Sequence, residues 1–181
     1  MDSLISERDE KMTPVFSESA LGPVQVVLLD GLPLELKRID PKTPRLSELI
    51  EDSRRRFPLL FEQLYRTLVE GEIYFQQLHL ERLPSFYKRV LQRVKTIPKG
   101  TVKNYGEIAT EIGSPHGSRA VGSALARNPL PLLIPCHRVV KKDGAIGSFS
   151  MGGSTLKAKL LEKEGIILAK NHKFWIKQQG T

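Results

Sequence analysis

PCHRVV, residues 135–140, contains the one cysteine of this 181-residue chain, Cys136, between a proline and a histidine. The apolar run LPLLI precedes it, and KKDGAIG, which is typical of a turn, follows it. We therefore predict a buried strand that ends at a rigid bend, where Pro135 fixes φ and the thiol comes to the surface. His137 and Arg138 would both favour the thiolate form of their neighbour. The alternative is an inert, buried thiol that acts as a small apolar side chain.

Composition limits what surrounds this thiol. A single cysteine excludes an internal disulfide and a cysteine-rich zinc site, and the 4 histidines show no metal-ligand spacing. We therefore expect no metal and no cofactor. No apolar run approaches the ~18 residues of a membrane span, and the opening MDSLISERDEKMTP does not have the pattern of a signal peptide. An intracellular protein without a membrane partner is expected, cytoplasmic or at the nucleoid, or nuclear if the source is eukaryotic.

Net charge indicates the kind of partner. The chain has 28 Lys and Arg against 20 Asp and Glu, a formal net charge of +8. Such an excess favours a polyanion, most simply nucleic acid, although a soluble protein can also be basic without binding one.

The first half of the chain predicts a small α+β domain over residues 15–81, after a flexible tail at 1–14. VQVVLLDGLPLELKRI has the pattern of two strands joined at Asp30-Gly31, a strong hairpin signal. Helical patterns follow in RLSELIEDS and from Phe57 to Val69, with Gly71 as a stop. No chemistry is evident in this half.

The second half predicts a mostly helical domain over residues 82–169, followed by a basic tail at 170–181. A helix begins near Ser85, and the last helix runs from Ser154, as N-cap, to Glu164 before Gly165. Between them YGEIATEI, the turn GSPHGS and SRAVGSALARN form a helix-turn-helix pattern with a long turn. The predicted fold class is therefore α+β, with a helix-turn-helix in the second domain.

The second helix of this pair divides into two faces. Its core side holds Val121, Ala124 and Leu125. The outer face has small residues and two arginines but no acidic residue: Arg119, Ala120, Ser123 and Arg127. Small side chains let a backbone approach a groove, and arginines can pair with phosphates or enter the base stack. We therefore predict a DNA-binding face, against the simpler alternative of a packed helix pair.

Cys136 and His137 need a third residue to act together. In an extended segment adjacent side chains point to opposite faces, so we expect a bridging water rather than a direct bond between them. Glu164 falls within the apolar face of the last helix, where a carboxylate needs a partner or must reach solvent. If it holds His137, a Glu–His–water–Cys relay results.

Four stretches, IPCHRVV, NYGEIA, SRAVGSALARNP and LLEKEG, resemble the O6-alkylguanine-DNA alkyltransferase family over about Leu83 to Gly165. The resemblance implies DNA repair by direct reversal. The alkyl group of O6-alkylguanine, and of O4-alkylthymine, would move irreversibly to Cys136 after the nucleotide is flipped out. The partner would be double-stranded DNA with such a lesion. We expect a monomer, with cooperative binding along DNA left open.

The family's residue roles carry over at the matching positions. Cys136 would be the nucleophile, with His137 acting through water and oriented by Glu164. Asn128 would be the hinge between the recognition helix and the active site, and Arg119 the finger that fills the gap in the stack. The remaining assignments concern the nucleotide: Tyr105 at the 3′ phosphate, Pro131 in the wall of the guanine pocket, and the Val139 carbonyl at the guanine amino group.

The sequence departs from the family in the loop after the turn. Phe149 stands where the family usually has a tyrosine whose hydroxyl donates to the guanine oxygen, and the loop is one residue longer at Met151. Phe149 can line the pocket, but Ser148, Ser150 or a backbone N–H must supply the donor. Without a substitute the loss costs about 10²-fold in rate.

Two other functions are open at this point. Phe149 fits a family relative that binds alkylguanine without transferring it, but such relatives lack the cysteine. A cysteine hydrolase using Cys136 and His137 would leave the arginine face unexplained.

Overall fold

The first half of the chain is built on a three-stranded antiparallel sheet. The computed structural model describes residues 12–71, 75, 77–171 and 173–176. The strands are β1 (Met12–Ser17), β2 (Val24–Leu29) and β3 (Leu32–Arg38), in that order across the sheet. Asp30 and Gly31 have φ of 49° and 82°, as a two-residue turn with two positive φ values requires. The predicted hairpin is confirmed.

The predicted tail and the sheet meet at residues 12–14. Residues 1–11 lie outside the described part of the chain. Met12, Thr13 and Pro14 are not part of a tail, because they pair with Leu29, Leu28 and Val27 at the start of β1. The predicted end of the tail at residue 14 was wrong, because pairing with β2 extends β1 beyond its own apolar pattern.

Helices cover one side of this sheet and confirm the helical predictions. They are α1 (Leu46–Arg56) and α2 (Pro58–Tyr65), and α2 continues as a π-helical segment, Arg66–Glu70. Gly71 ends this segment with a φ of 75°, the left-handed conformation that favours glycine. The carbonyl groups at this end point toward the second half.

The second half is mostly helical, and the α+β class is confirmed. Its elements are α3 (Ser85–Lys95), β4 (Lys103–Asn104), α4 (Tyr105–Glu111), α5 (Ser118–Ala126), a 3-10 helix (Cys136–Arg138), β5 (Val139–Val140), α6 (Gly153–Lys163), β6 (Leu168–Asn171) and β7 (Lys173–Ile176). Strands β4 and β5 pair in parallel, and β6 and β7 form an antiparallel hairpin.

Two predicted ends in this half were wrong. Ser154 is not the N-cap of the last helix, because Gly152, with a φ of 152°, holds that position and Ser154 lies in the first turn. Residues 170, 171 and 173–176 belong to β6 and β7 rather than to a tail, since Phe174, Trp175 and Ile176 are strand-forming residues. Residues 177–181 lie outside the described part of the chain.

The segment before the thiol is not a strand. Pro129, Pro131 and Pro135 remove backbone donors that a sheet ladder would need. The run is buried nonetheless, with Ile134 0% exposed. Cys136 then begins the 3-10 helix, where Arg138 N donates to Pro135 O at 2.9 Å. The predicted strand ending at an exposed bend is therefore corrected to a buried helical turn.

One hydrophobic core runs through both halves. It includes Val26 and Leu64 from the first half and Val90, Ile108 and Val121 from the second. Leu36 N of β3 donates to Pro129 O at 2.8 Å, next to the residues that lead to the thiol. Within the described part of the chain, no helix is long and apolar enough to cross a membrane.

Candidate functional site

The helix-turn-helix is formed by α4 and α5, which pack on each other, and α5 also packs on α3. A capping box starts α4. The Asn104 side chain accepts from the backbone N–H groups of Gly106 and Glu107 at 2.9 and 3.0 Å, and the Glu107 carboxylate accepts from Asn104 N at 2.6 Å. This cap fixes the position of Tyr105, the first residue of the helix.

The two faces of α5 are those expected from the sequence. Val121 and Ala124 are 0% exposed and Leu125 is 7% exposed. The four outer residues are all exposed: Arg119, Ala120, Ser123 and Arg127. Arg127 does not project freely, because its guanidinium lies 5.6 Å from the centre of the Tyr87 ring on α3 and donates to the Tyr87 hydroxyl. The face is therefore small, basic and free of acidic residues.

Cys136 lies at the inner side of this helix and is only 5% exposed. Asn128, just after α5, donates from Nδ2 to the Cys136 sulfur at 3.3 Å and to Ile134 O at 3.1 Å. Its Oδ1 accepts from Leu130 N at 3.0 Å. Asn128 thus joins the end of α5 to the segment that carries the thiol, as a hinge residue would.

His137 lies against Glu164, as the sequence suggested. The imidazole is buried, and its Nε2 is 2.9 Å from Glu164 Oε1 at the end of α6. Burial lowers the pKa of His137 in spite of the opposing effect of Glu164, so the ring is neutral near pH 7. An ionised carboxylate only accepts, so Nε2 carries the proton and Nδ1 has a free lone pair. Nδ1 is buried without a hydrogen bond to any described residue.

Arg138 turns away from the thiol, contrary to the sequence prediction. Its Nε lies 3.1 and 3.0 Å from the two Glu164 oxygens, and its Nη2 lies 2.8 Å from Oε1. Burial raises the pKa of Glu164, but the hydrogen bonds from His137 and Arg138 outweigh it and lower the pKa to about 2. Glu164 is therefore ionised, and Arg138 is its counter-ion rather than that of Cys136.

Lys157 takes the place at the thiol that sequence reasoning gave to Arg138. It is 1% exposed, and its Nζ donates to Val139 O at 2.6 Å. Burial lowers the pKa of Lys157 to about 8, against the opposing effect of Cys136. Lys157 and Glu164 are seven residues apart and share a face of α6, a spacing that could have revealed this residue. The Val139 carbonyl, expected to meet guanine, already accepts this bond.

These neighbours act on the thiol in opposite directions. Burial raises the pKa of Cys136, whereas the hydrogen bond from Asn128 and the charge of Lys157 lower it. The resting side chain is therefore a thiol that needs a base, with a donor and a cation already placed for the thiolate.

A pocket of about 210 Å³ opens onto the thiol. Tyr105, Phe149 and Ser150, expected around the substrate, line it together with Cys136, Gly122, Leu125, Ala126 and Ser148. Phe149 is 6% exposed, with its ring edge-on to His137 at 6.2 Å. Burial, and then Cys136, raise the pKa of Tyr105, which keeps its hydroxyl protonated. The pocket has an apolar wall and three hydroxyl groups.

One expected substrate-binding residue lies away from the pocket. Pro131 is buried in an isolated bridge with Ile134 and is not among the described residues that line the pocket. The described part of the chain also contains no group of three or more acidic, histidine or cysteine side chains that could hold a metal ion.

The fold and site define a class of protein that joins a helix-turn-helix to a buried thiol with a hydrogen-bond donor beside it. The family model for the DNA-binding domain of 6-O-methylguanine DNA methyltransferase matches residues 85–166. The chain is 35% identical over 155 residues to a methylated-DNA–protein-cysteine methyltransferase of Methanosarcina acetivorans, covering 82% of this chain and 95% of that protein. It therefore belongs to the family of methylated-DNA–protein-cysteine methyltransferases.

Other relatives match a shorter stretch, whereas a solved structure matches most of the chain. The rat methylated-DNA–protein-cysteine methyltransferase is 48% identical over 83 residues, which cover 45% of this chain and only 40% of that relative. The crystal structure of Mycobacterium tuberculosis OGT in complex with DNA has a TM-score of 0.64 and 29% identity, covering 83% of this chain and 91% of that one.

The position of Lys157 generates a prediction about the thiol. Lys157→Met should raise the pKa of Cys136, because a positive charge beside the thiolate is lost. The rate of alkylation by iodoacetamide, measured against pH, should shift to higher pH. Lys159→Met, an exposed lysine on the same helix, is the matched control and should leave the curve unchanged. A Lys157→Met curve that overlays that of the unaltered chain would contradict this role for the ammonium group.

Proposed function

We propose that this chain repairs DNA by taking the alkyl group from O6 of guanine, or O4 of thymine, onto Cys136 in one irreversible turnover. The observation that carries the proposal is the position of its single cysteine. The thiol lies at the inner side of a pocket, bonded to Asn128 at the end of a basic, small-residue helix, with a neutral histidine next in the chain. The names of its relatives describe a transfer from methylated DNA to a protein cysteine.

The outer face of α5 serves DNA binding in this proposal. Ala120 and Ser123 let the helix backbone approach the groove, and Arg127, held on Tyr87, pairs with a phosphate. A base must leave the stack before a thiol can reach it. Arg119 fills the gap, while Tyr105 rotates the 3′ phosphate. Pro131 supports the wall of the pocket from behind, and the second lone pair of the Val139 carbonyl accepts from the guanine amino group.

The thiol loses its proton only during the reaction. A water passes the thiol proton to His137 Nδ1, and Glu164 on the opposite nitrogen stabilises the resulting imidazolium. Asn128 and Lys157 stabilise the thiolate meanwhile. This arrangement makes His137 the base and Glu164 its orienting partner.

The transfer is an in-line displacement at the alkyl carbon. A carbon–sulfur bond forms and the carbon–oxygen bond breaks, so guanine leaves with the electron pair and takes a proton from the pocket. Ser148 and Ser150 supply the hydroxyl that Phe149 lacks, since both line the pocket with the thiol. The product is a thioether with no carbonyl for water to attack. The protein is therefore consumed.

The domain organisation, the oligomeric state and the cellular compartment belong to the same proposal. The part of the chain from β1 to about residue 81 and the part from residue 82 to β7 form two domains that share one core, and the second contributes all of the chemistry. The chain acts as a monomer on double-stranded DNA, in the compartment that contains that DNA.

The first prediction concerns the product. After incubation with a short duplex containing O6-methylguanine, the intact protein should gain the mass of one methyl group, located on Cys136 by peptide mapping. Cys136→Ala should show no gain. An unmodified mass combined with tight binding to the lesion would support a recognition protein that does not transfer, and methanol released over many turnovers would indicate a hydrolase.

A second prediction separates DNA binding from chemistry. Arg119→Ala should slow repair in duplex DNA more than it slows the reaction with free O6-benzylguanine, because the free base has no stack to fill. Arg55→Ala, which removes the same charge from exposed α1, should leave both rates unchanged. Equal losses on both substrates for Arg119→Ala would count against insertion into the stack.

A further inference from the structure

Arg138 is among the most buried side chains of the described residues, at 2% exposed. Every nitrogen of its guanidinium has a partner. Nη1 donates to Ile97 O at 2.6 Å, just after α3, and Nη2 donates to Gly71 O at 3.0 Å, at the end of the π-helical segment. Nε and Nη2 bind Glu164. The carbonyls of Ile97 and Gly71, from separate segments, thus orient the guanidinium toward the Glu164 carboxylate.

Glu164 is shared between Arg138 and His137. Oε1 is the acceptor for His137 Nε2 at 2.9 Å and for Arg138 Nη2 at 2.8 Å. A buried carboxylate whose only partner is an imidazole draws a second proton onto the ring, because an ion pair is favoured over a lone buried charge. With the guanidinium beside it, the carboxylate is already neutralised and exerts much less pull on the imidazole.

Among the described residues, the other charged side chains near His137 are three lysines and one glutamate, Glu70, whose carboxylate is 3.3 Å from Arg66 Nε. Lys157, on α6, lies on the thiol side and also lowers the pKa of His137, as Arg138 does, after burial itself. Lys99, Lys163 and Glu70 surround a small cavity at the junction with the first half. Lys99 is directed to Glu70 O at 2.6 Å and Lys163 to Ala20 O at 3.2 Å, so neither binds the relay carboxylate.

We propose that Arg138 is a positioning residue of the relay: its charge on Glu164 adds to the effect of burial in keeping His137 neutral, so that Nδ1 stays available to accept the thiol proton. An imidazolium would hold a proton on Nδ1 and could not act as the base. Arg138 contributes without touching substrate or thiol. The contribution of Arg138 to catalysis rests on the proposed function, whereas its electrostatic effect on His137 does not.

The test is the titration of His137 followed by ¹⁵N NMR of the imidazole, with its signals identified by their loss in His137→Gln. Arg138→Met leaves Glu164 uncompensated, so His137 should become protonated at a higher pH, by about one unit or more. The acid limb of the alkyl-transfer rate should move up by the same amount. Arg138→Lys keeps the charge and should restore the titration most of the way toward that of the unaltered chain.

Lys99→Met is the matched control, since it also removes a cation that binds the end of the π-helical segment but does not contact Glu164. It should leave the His137 titration unchanged. An unchanged titration in folded Arg138→Met would overturn the proposal, as would an equal shift in Lys99→Met. If Arg138→Met does not fold, Arg138→Gln, which keeps hydrogen-bond donors but removes the charge, is titrated in its place: protonation of His137 at a higher pH supports the proposal, and an unchanged titration overturns it.

The two readouts keep this inference separate from the proposed function. If the titration shifts as expected but no alkyl group is ever transferred, the role of Arg138 on His137 stands and the proposed chemistry fails.

Discussion

The ion pair between Arg138 and Glu164 is the interaction on which the rest of the site depends. Both side chains are buried, and removing one partner of such a pair costs about 3–5 kcal/mol because the other charge is left without compensation. The pair joins the end of α6 to Ile97 after α3 and to Gly71 in the first half. It fixes the carboxylate that orients His137. The three-dimensional position of His137, the proposed base, is therefore set by segments far apart in the sequence.

The thiol is under a different constraint, because it must be stable at rest and reactive on demand. Burial keeps Cys136 protonated, while Asn128 and Lys157 are already placed to stabilise the thiolate. The rings of Phe149 and His137 meet in a T-shaped arrangement with their centres 6.2 Å apart, and Phe149 forms an apolar part of the pocket wall. The polar groups of the pocket include three hydroxyl groups, those of Tyr105, Ser148 and Ser150. Ser148 and Ser150 are exposed and lie on the loop before α6. This composition suits a thiol that reacts once with a flipped base.

Features governed by local sequence were predicted well. The Asp30-Gly31 hairpin follows from turn chemistry, and the two faces of α5 follow from helical periodicity. The approach of Glu164 to His137 could also be anticipated, since a carboxylate on an apolar face needs a partner. The family resemblance over the second half agrees with the family to which the comparisons assign the chain.

One failure was local in the sequence, and the others have a tertiary cause. Pro129, Pro131 and Pro135 turned an apolar run into a buried coil, so periodicity misled where backbone donors were missing. The direction of Arg138 depends on carbonyls at Gly71 and Ile97, which no neighbouring residue reveals. The contact of Lys157 with the Val139 carbonyl forms because α6 packs against the thiol segment, and this packing is not evident from the sequence around Lys157. Pairing of β6 with β7 likewise depends on partners rather than on the basic composition of that stretch.

The central claim is that one buried thiol, activated once by a neutral histidine, is consumed by its own reaction. It is tested most directly by counting the methyl groups transferred per chain over time, with lesion-containing duplex in large excess. We predict that the count rises to one methyl group per chain and that no further transfer follows, however long the incubation. A count that continues past one would contradict it.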